Sequence, residues 1–425
     1  MYSCCLAAGL CKLARRQAGS GGNSKVQKSK LTHRLNHLLS EPIESALYRE
    51  QHSLEEKIGS LDQPFILFGA GHLGRKVMGS LQAIGKTPVA FIDNNPSLWG
   101  KEYQGVPIFN PAEYAGKFDA KQIGVITTIW SGEATDKMSD RIRPLLELGF
   151  CNVAMFGHLA WKFKDQFLPH YSLDLPSKVI SQADQIRAAF SLLEDEESCE
   201  LFVNHIEWRL FLDYDLLPKP SREVIYFNNK FVNKLETEVL YDIGAYTGDS
   251  VESFLQTERG NDFLQIHSFE PSPNNYQILR QYIFGLKKIS DKVFAHNLAL
   301  GDIVGNIQVE SDNGPASRVG SGSETVPVTT IDLFSESYAE PTFIKIDIEG
   351  FEPQCLLGAK QTITNFSPVI AVCVYHLQSH VWEIPLQLYS YNKEYSFHLC
   401  PHLADGWDLV LYAVPKNRRP IKFDL

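Results

Sequence analysis

The chain has 425 residues, enough for two or three domains that each bury a core of their own. A net charge of -10 argues against nucleic acid as a partner, because binding phosphates needs a basic face. The eight cysteines form no CxxC pair, and no apolar run approaches the length of a bilayer span, so a disulfide framework and a membrane span are both excluded in favour of a cytoplasmic enzyme with reduced thiols.

Residues 1–30 carry Lys12, Arg15, Arg16, Lys25, Lys28 and Lys30 and no acid. The glycine- and serine-rich run 19–24 is expected to hold no structure. An acid-free basic start of this kind reads as a disordered tail or an overlong reading frame, with an organelle transit peptide as the alternative. Residues 31–58 read as helical, so 1–61 is taken as a tail with a short helix. Residues 62–160 read as a small Rossmann-like α/β domain. A strand over 65–68 runs into Gly69-Ala70-Gly71-His72-Leu73-Gly74, a helix spans 75–84, and a second strand over 88–92 closes on Asp93. This is a GxGxxG turn with a strand before it, a helix after it and an acid at the tip of strand two. Gly69, Gly71, Gly74 and Asp93 are therefore a possible second nucleotide site, although the domain is short for a full dinucleotide site. Further strands are expected over 105–109 and 123–128.

From 161 to 234 the pattern turns helical. Ile180, Ala183, Ile186, Ala189, Phe190 and Leu193 recur at helix spacing, and a second amphipathic helix is expected over 197–213. Residues 235–425 then read as one doubly wound α/β domain. Its first strand, 239–243, ends in Asp242-Ile243-Gly244-Ala245-Tyr246-Thr247-Gly248-Asp249, a strand running into a glycine turn that opens a helix. The second strand, 265–269, ends at Glu270-Pro271, where a carboxylate can accept hydrogen bonds from both hydroxyls of a ribose. Asp242 and Glu270 at neighbouring strand tips describe an adenosine-type cofactor site. The third strand, 292–296, ends at Asn297. A short strand over 306–310 precedes the glycine- and serine-rich run 311–325, expected as a mobile surface loop. The remaining strands fall over 343–349, 369–375, 395–399 and 408–414.

Over 343–349, alternation places Lys345, Asp347 and Glu349 on one face. Three unpaired charges inside a central strand are untenable, so they must pair with one another or with a partner, or lie at the sheet's open end. Asp347, Glu349 and His376 are the candidate general bases. Asp347 and Glu349 also suit a divalent cation, but no third ligand is identifiable, so no metal is expected.

The blocks DIGAYTGDS, FEPSPNNYQIL, NLALGD, VTTIDLF and FIKIDIEGFEPQCLLGA, with SPVIAVCVYH and LVLYAV after them, resemble the FkbM family of S-adenosylmethionine-dependent methyltransferases. The upstream FGAGHLGRKV and FIDNNP resemble a two-part subgroup that carries an N-terminal Rossmann-like domain. The resemblance implies a class I methyltransferase-like sheet and methyl transfer from S-adenosylmethionine to a hydroxyl of a sugar or related metabolite. It also implies a cofactor set of Asp242, Gly244, Ala245, Gly248, Asp249, Glu270, Pro271 and Asn297, with Asn297 near the adenine and Asp347 and Glu349 facing the methyl group. Ala245 and Tyr246 inside the glycine run depart from the commoner GxGxG form. Two alternatives stand beside this reading: a nucleotide- or NAD-dependent enzyme centred on residues 69–93, and a non-catalytic cofactor-binding protein.

Overall fold

A computed structural model of the chain describes residues 20–130, 137–227, 229–287, 289–309 and 324–420. Two parallel-dominated sheets organise it. The first contains β1 (Phe65–Phe68), β2 (Ala90–Ile92), β3 (Glu102–Tyr103), β4 (Val106–Phe109), β5 (Gly124–Thr127) and β6 (Asn152–Ala154), in the order β3-β4-β2-β1-β5-β6. All four residues of β1 are buried, as an apolar strand covered on both faces requires. Sequence pattern alone did not reveal β3 and β6, which are short and largely unburied edge strands. The helix after the glycine turn is His72–Ala83; it starts three residues earlier than expected because Gly71 is its N-cap.

Helix Ser20–Leu38 begins inside the run expected to hold no structure. Leu31, Leu35 and Leu38 bury in the same core as Phe202 and Ile206 of helix Glu196–Phe211. Arg34 adds hydrogen bonds to Glu207 and Asn204 at 2.8 and 2.9 Å. A helix pinned in this way is extended toward its N-terminus more cheaply than a new one is started. Helix Ile43–Ile58 follows, with Leu54 and Ile58 in the first sheet's core. The transit-peptide reading, with Cys4, Cys5 and Cys11, falls mostly on residues 1–19, outside the described residues.

Helix Glu196–Phe211 starts where the Asp195 carboxylate accepts a hydrogen bond from the Ser198 amide at 2.8 Å, and Glu196 and Glu197 occupy its first turn. It packs on the strand Ser396–Pro401, while helix Ala183–Leu192 packs on helix His380–Tyr391, and both helices share the second sheet's core.

The second sheet holds β7 (Glu238–Ile243), β8 (Phe263–Phe269), β9 (Val293–His296), β13 (Phe343–Ile346), β14 (Val369–Cys373), β15 (Ser396–Pro401) and β16 (Leu409–Val414). Between β9 and β13, β10 (Ala299–Leu300), β11 (Gly305–Val309) and β12 (Glu324–Thr329) make a small separate sheet. The expected loop falls mostly on 310–323, outside the described residues. The large sheet runs β15-β16-β14-β13-β7-β8-β9, with β16 antiparallel to both of its neighbours. From β7 the chain winds outward through β8 and β9, then returns to β13 on the other side. The switch point lies between the carboxyl ends of β7 and β13, where doubly wound sheets open a crevice.

One expectation is corrected here. The strand expected over 343–349 ends at Ile346. Asp347 and Glu349 lie beyond it, at the open end of the sheet, so strand alternation does not set their common direction. Lys345 remains inside and is paired. Among the described residues no helix is long and apolar enough to cross a membrane.

Candidate active site

The crevice is a cavity of about 990 Å³ into which the carboxyl ends of both sheets open. His72 and Trp130 line it from the first sheet, and Gly244, Tyr246, Glu270, Lys345 and Asp347 from the second.

Its floor is the turn after β7. Gly244 has φ +77°, and a Cβ there would lie 1.9 Å from the Asp347 carbonyl oxygen, so no larger residue fits this turn. The amides of Gly244 and Ala245 both donate to the Phe269 carbonyl at 3.0 Å, which stitches the turn to the end of β8. Gly248, at φ +105°, is the N-cap of helix Asp249–Gln256.

Glu270 and Pro271 line the cavity at the tip of β8. The Glu270 carboxylate accepts from the Tyr246 amide at 2.9 Å and the Ser272 amide at 2.8 Å. Burial pushes its pKa up to about 7, only partly opposed by those amides. Asp249 also lines the cavity, and burial raises its pKa against the pull of Lys345.

Four residues of the expected cofactor set are not on the cavity wall: Ala245 and Gly248 lie within the turn behind it, and Asp242 and Asn297 sit elsewhere. Asp242 is fully buried and is not on the cavity wall. Its carboxylate accepts from the Ser250 hydroxyl at 2.6 Å and pairs with Lys345 at 3.2 Å. Lys345 also donates to the Gly244 carbonyl at 2.5 Å, so this ion pair braces the turn from behind. Asn297 uses its side-chain amide on the carbonyls of Glu270 and Pro271, both at 2.9 Å, and it is the following residues Leu298 to Leu300 that reach the cavity. Both residues therefore act on the shape of the site from outside its wall.

The far end of the cavity is acidic and aromatic. The Tyr226 hydroxyl donates to one oxygen of Asp347 at 2.8 Å, and the other lies 3.4 Å from His376 Nε2. Glu349 approaches the same nitrogen at 3.8 Å and holds φ +56°, rare for a non-glycine residue. His376 Nδ1 lies 2.8 Å from the buried Glu352. Burial alone would lower the His376 pKa, but Glu352, Asp347 and Glu349 hold it up at about 9. Asp408 lies on the same wall, pushed up to about 7 by burial and by the charge of Asp347. Trp407 packs on Tyr171 at 4.6 Å, on Tyr375 at 5.6 Å and on Trp130 at 6.5 Å between ring centroids. The expected trio Asp347, Glu349 and His376 is thus brought together. Glu352 lies inside the block FIKIDIEGFEPQCLLGA but was not singled out as a site residue, and Tyr226, Asp408 and the aromatic wall carry no local motif.

The glycine turn of the first sheet is crowded at Gly69 and Gly74 and open at Gly71. Asp93 accepts from the amides of Ala70 and Asn95 at 2.7 and 2.8 Å, one to each oxygen. A Cβ on Gly74 would lie 2.0 Å from the Gly69 carbonyl oxygen. These residues join strand tip to helix, while His72, just beyond, turns to the shared cavity.

A doubly wound sheet with one antiparallel strand, and a glycine turn facing an acid across its switch point, defines a methyltransferase-type Rossmann domain. Residues 242–399 match the family model described as the methyltransferase FkbM domain. The crystal structure of a methyltransferase FkbM from Methylobacillus flagellatus KT is similar over 92% of this chain and 99% of that one, at 18% identity and a TM-score of 0.73, which relates the folds across both sheets. An rRNA methylase from Streptococcus thermophilus aligns at 9% identity and a TM-score of 0.26, over 45% of this chain and 90% of that one. A precorrin-6y C5,15-methyltransferase from Geobacter metallireducens GS-15 aligns at 12% and 0.27, over 46% and 90%. Scores of that size support no argument. No curated protein sequence matches the chain.

Proposed function

We propose that the protein transfers a methyl group from S-adenosylmethionine to a hydroxyl of a saccharide or related small metabolite held in the shared cavity. The observation that carries the reading is Glu270: a carboxylate at the tip of β8, on the cavity wall and next to a turn whose Gly244 leaves no Cβ in the way. The cavity also suits a cationic cofactor. Asp249, Glu270, Asp347, Glu349 and Asp408 line it, and the charge of Lys345 is already matched by Asp242. S-adenosylmethionine supplies an electrophilic methyl group on a sulfonium.

Glu270 holds the ribose, and the turn after β7 supports the remainder of the cofactor. The aromatic wall of Tyr171, Tyr375 and Trp407 receives the flat face of an acceptor ring and excludes water. Asp347, oriented by the Tyr226 hydroxyl, takes the acceptor's proton. The transfer is an in-line displacement, so alignment of acceptor and donor carries much of the rate. The test combines calorimetry with S-adenosylmethionine and transfer of a labelled methyl group to a saccharide mixture. Cofactor binding with no labelled product would favour a non-catalytic binding protein instead.

A further inference from the structure

Beside the cavity, His376 stands among carboxylates in a way the acid–base reading does not use. It is 3% exposed, and Glu352 is fully buried. The ring nitrogens of His376 face carboxylates without a hydrogen bond of good geometry, and so does Glu352 Oε2, 3.3 Å from His380 Nδ1. The 2.8 Å approach of Nδ1 to Glu352 therefore lies off the direction a ring N–H would take. Buried polar groups left in this state are costly, and native proteins give them partners.

One ligand atom each from Asp347, Glu352 and His376 lies within 4.8 Å of the others. Around a small divalent cation with bonds of about 2.1 Å, ligand atoms stand about 3 Å apart at right angles and about 4.2 Å apart when opposite. The 4.8 Å limit exceeds the opposite-ligand separation by about 0.6 Å, so the side chains would draw in around the ion. The carboxylates are held from outside: the Tyr226 hydroxyl donates to Asp347 at 2.8 Å, and the amides of Ile348 and Gly350 donate to Glu352 at 3.0 and 3.3 Å. Such outer contacts orient metal ligands. Glu349, 3.8 Å from Nε2, stands within reach at a strained backbone position, as functional residues often do.

We propose that Asp347, Glu352 and His376 bind one divalent cation of the Mg²⁺ or Mn²⁺ class, with open positions toward the cavity. Two carboxylates and a single imidazole suit Mn²⁺ well. In the cavity the cation would lower the pKa of an acceptor hydroxyl, and Asp347, as its ligand, would then act on that proton through the metal rather than as a free base. That use rests on the methyltransferase reading, whereas the binding itself does not.

The test uses full-length protein stripped with EDTA and titrated with MnCl₂, following the electron paramagnetic resonance signal of free Mn²⁺. One Mn²⁺ per chain is expected. Asp347→Asn and His376→Gln should each weaken binding by at least about tenfold, the lower end of what loss of even an outer-shell partner costs. Glu113→Gln, an exposed acid on a helix of the first sheet, should leave it unchanged. Circular dichroism checks folding, and if the buried His376→Gln does not fold, the cavity-side Asp347→Asn decides the matter. Folded wild-type protein that binds no Mn²⁺, or an Asp347→Asn variant that binds it as tightly as wild type, would overturn the proposal. Calorimetry with S-adenosylmethionine on the same samples keeps the two readings apart, since Mn²⁺ binding without cofactor binding contradicts only the methyltransferase reading.

Discussion

Replacing Lys345 with Met removes the cation from behind the turn after β7. Lys345 Nζ lies 3.2 Å from Asp242 Oδ1, and both side chains are almost completely buried. At an effective dielectric of about 20, unit charges at that distance attract by about 5 kcal/mol. Lys345→Met leaves Asp242 charged and unpaired with only the Ser250 hydroxyl for company, and such a loss costs about 3–5 kcal/mol. The Gly244 carbonyl also loses its donor, so the turn loosens and cofactor affinity falls with stability. In the double variant Asp242→Asn/Lys345→Met no charge is stranded, and most of the lost stability should return. Guanidinium unfolding followed by tryptophan fluorescence measures both. A single variant that loses less than about 1 kcal/mol, or a double variant as unstable as the single, would refute the role given to this pair.

Glu270→Gln keeps the side chain's shape but removes its charge. Cofactor affinity should drop about 10- to 100-fold, the equivalent of one charge-assisted hydrogen bond, and calorimetry reads it directly. The Glu270 pKa near 7 sets two opposite pH trends. Its folded-state value is raised, so its contribution to stability is present below the unfolded carboxylate value, about 4.5, and is lost as pH rises through 7. Cofactor binding uses the ionised form and should strengthen from pH 6 to pH 8; calorimetry at the two pH values showing no change would contradict that use. Gly244→Ala places a Cβ 1.9 Å from the Asp347 carbonyl at φ +77° and should abolish methyl transfer and cost more than about 2 kcal/mol. Gly79→Ala, inside helix His72–Ala83 with nothing within 4 Å of its Cβ, should instead stabilise by about 0.5–1 kcal/mol; thermal denaturation of the two variants checks both.

Much of this architecture could be read from the chain because it is written locally. Glycines at strand ends, the apolar runs of β1 and β14, and the acids Glu270 and Asp347 are all visible without knowing what they touch. The requirement that Lys345 be paired also followed from strand alternation, since a lone charge cannot sit in a central strand. Alternation failed two residues later, because β13 ends at Ile346 and the chain turns through Glu349 and Gly350 at positive φ. Tyr226, Tyr171, Trp130 and Trp407 reach the cavity from segments far apart in sequence, so no spacing betrays them. Glu352 and His380 look like ordinary polar residues of helix starts, yet both are buried beside His376. Helix Ser20–Leu38 runs against its own glycine and serine content because its C-terminal half is anchored by tertiary contacts.

The most direct measurement is a crystal structure of the protein with S-adenosylhomocysteine, the product form of the cofactor. The account predicts one molecule per chain at the carboxyl ends of β7 and β8, with both ribose hydroxyls within hydrogen-bond distance of Glu270 and the sulfur pointing toward Asp347. A ligand bound at the Gly69 to Asp93 turn instead, or a folded protein that takes up none at saturating concentration, would contradict it.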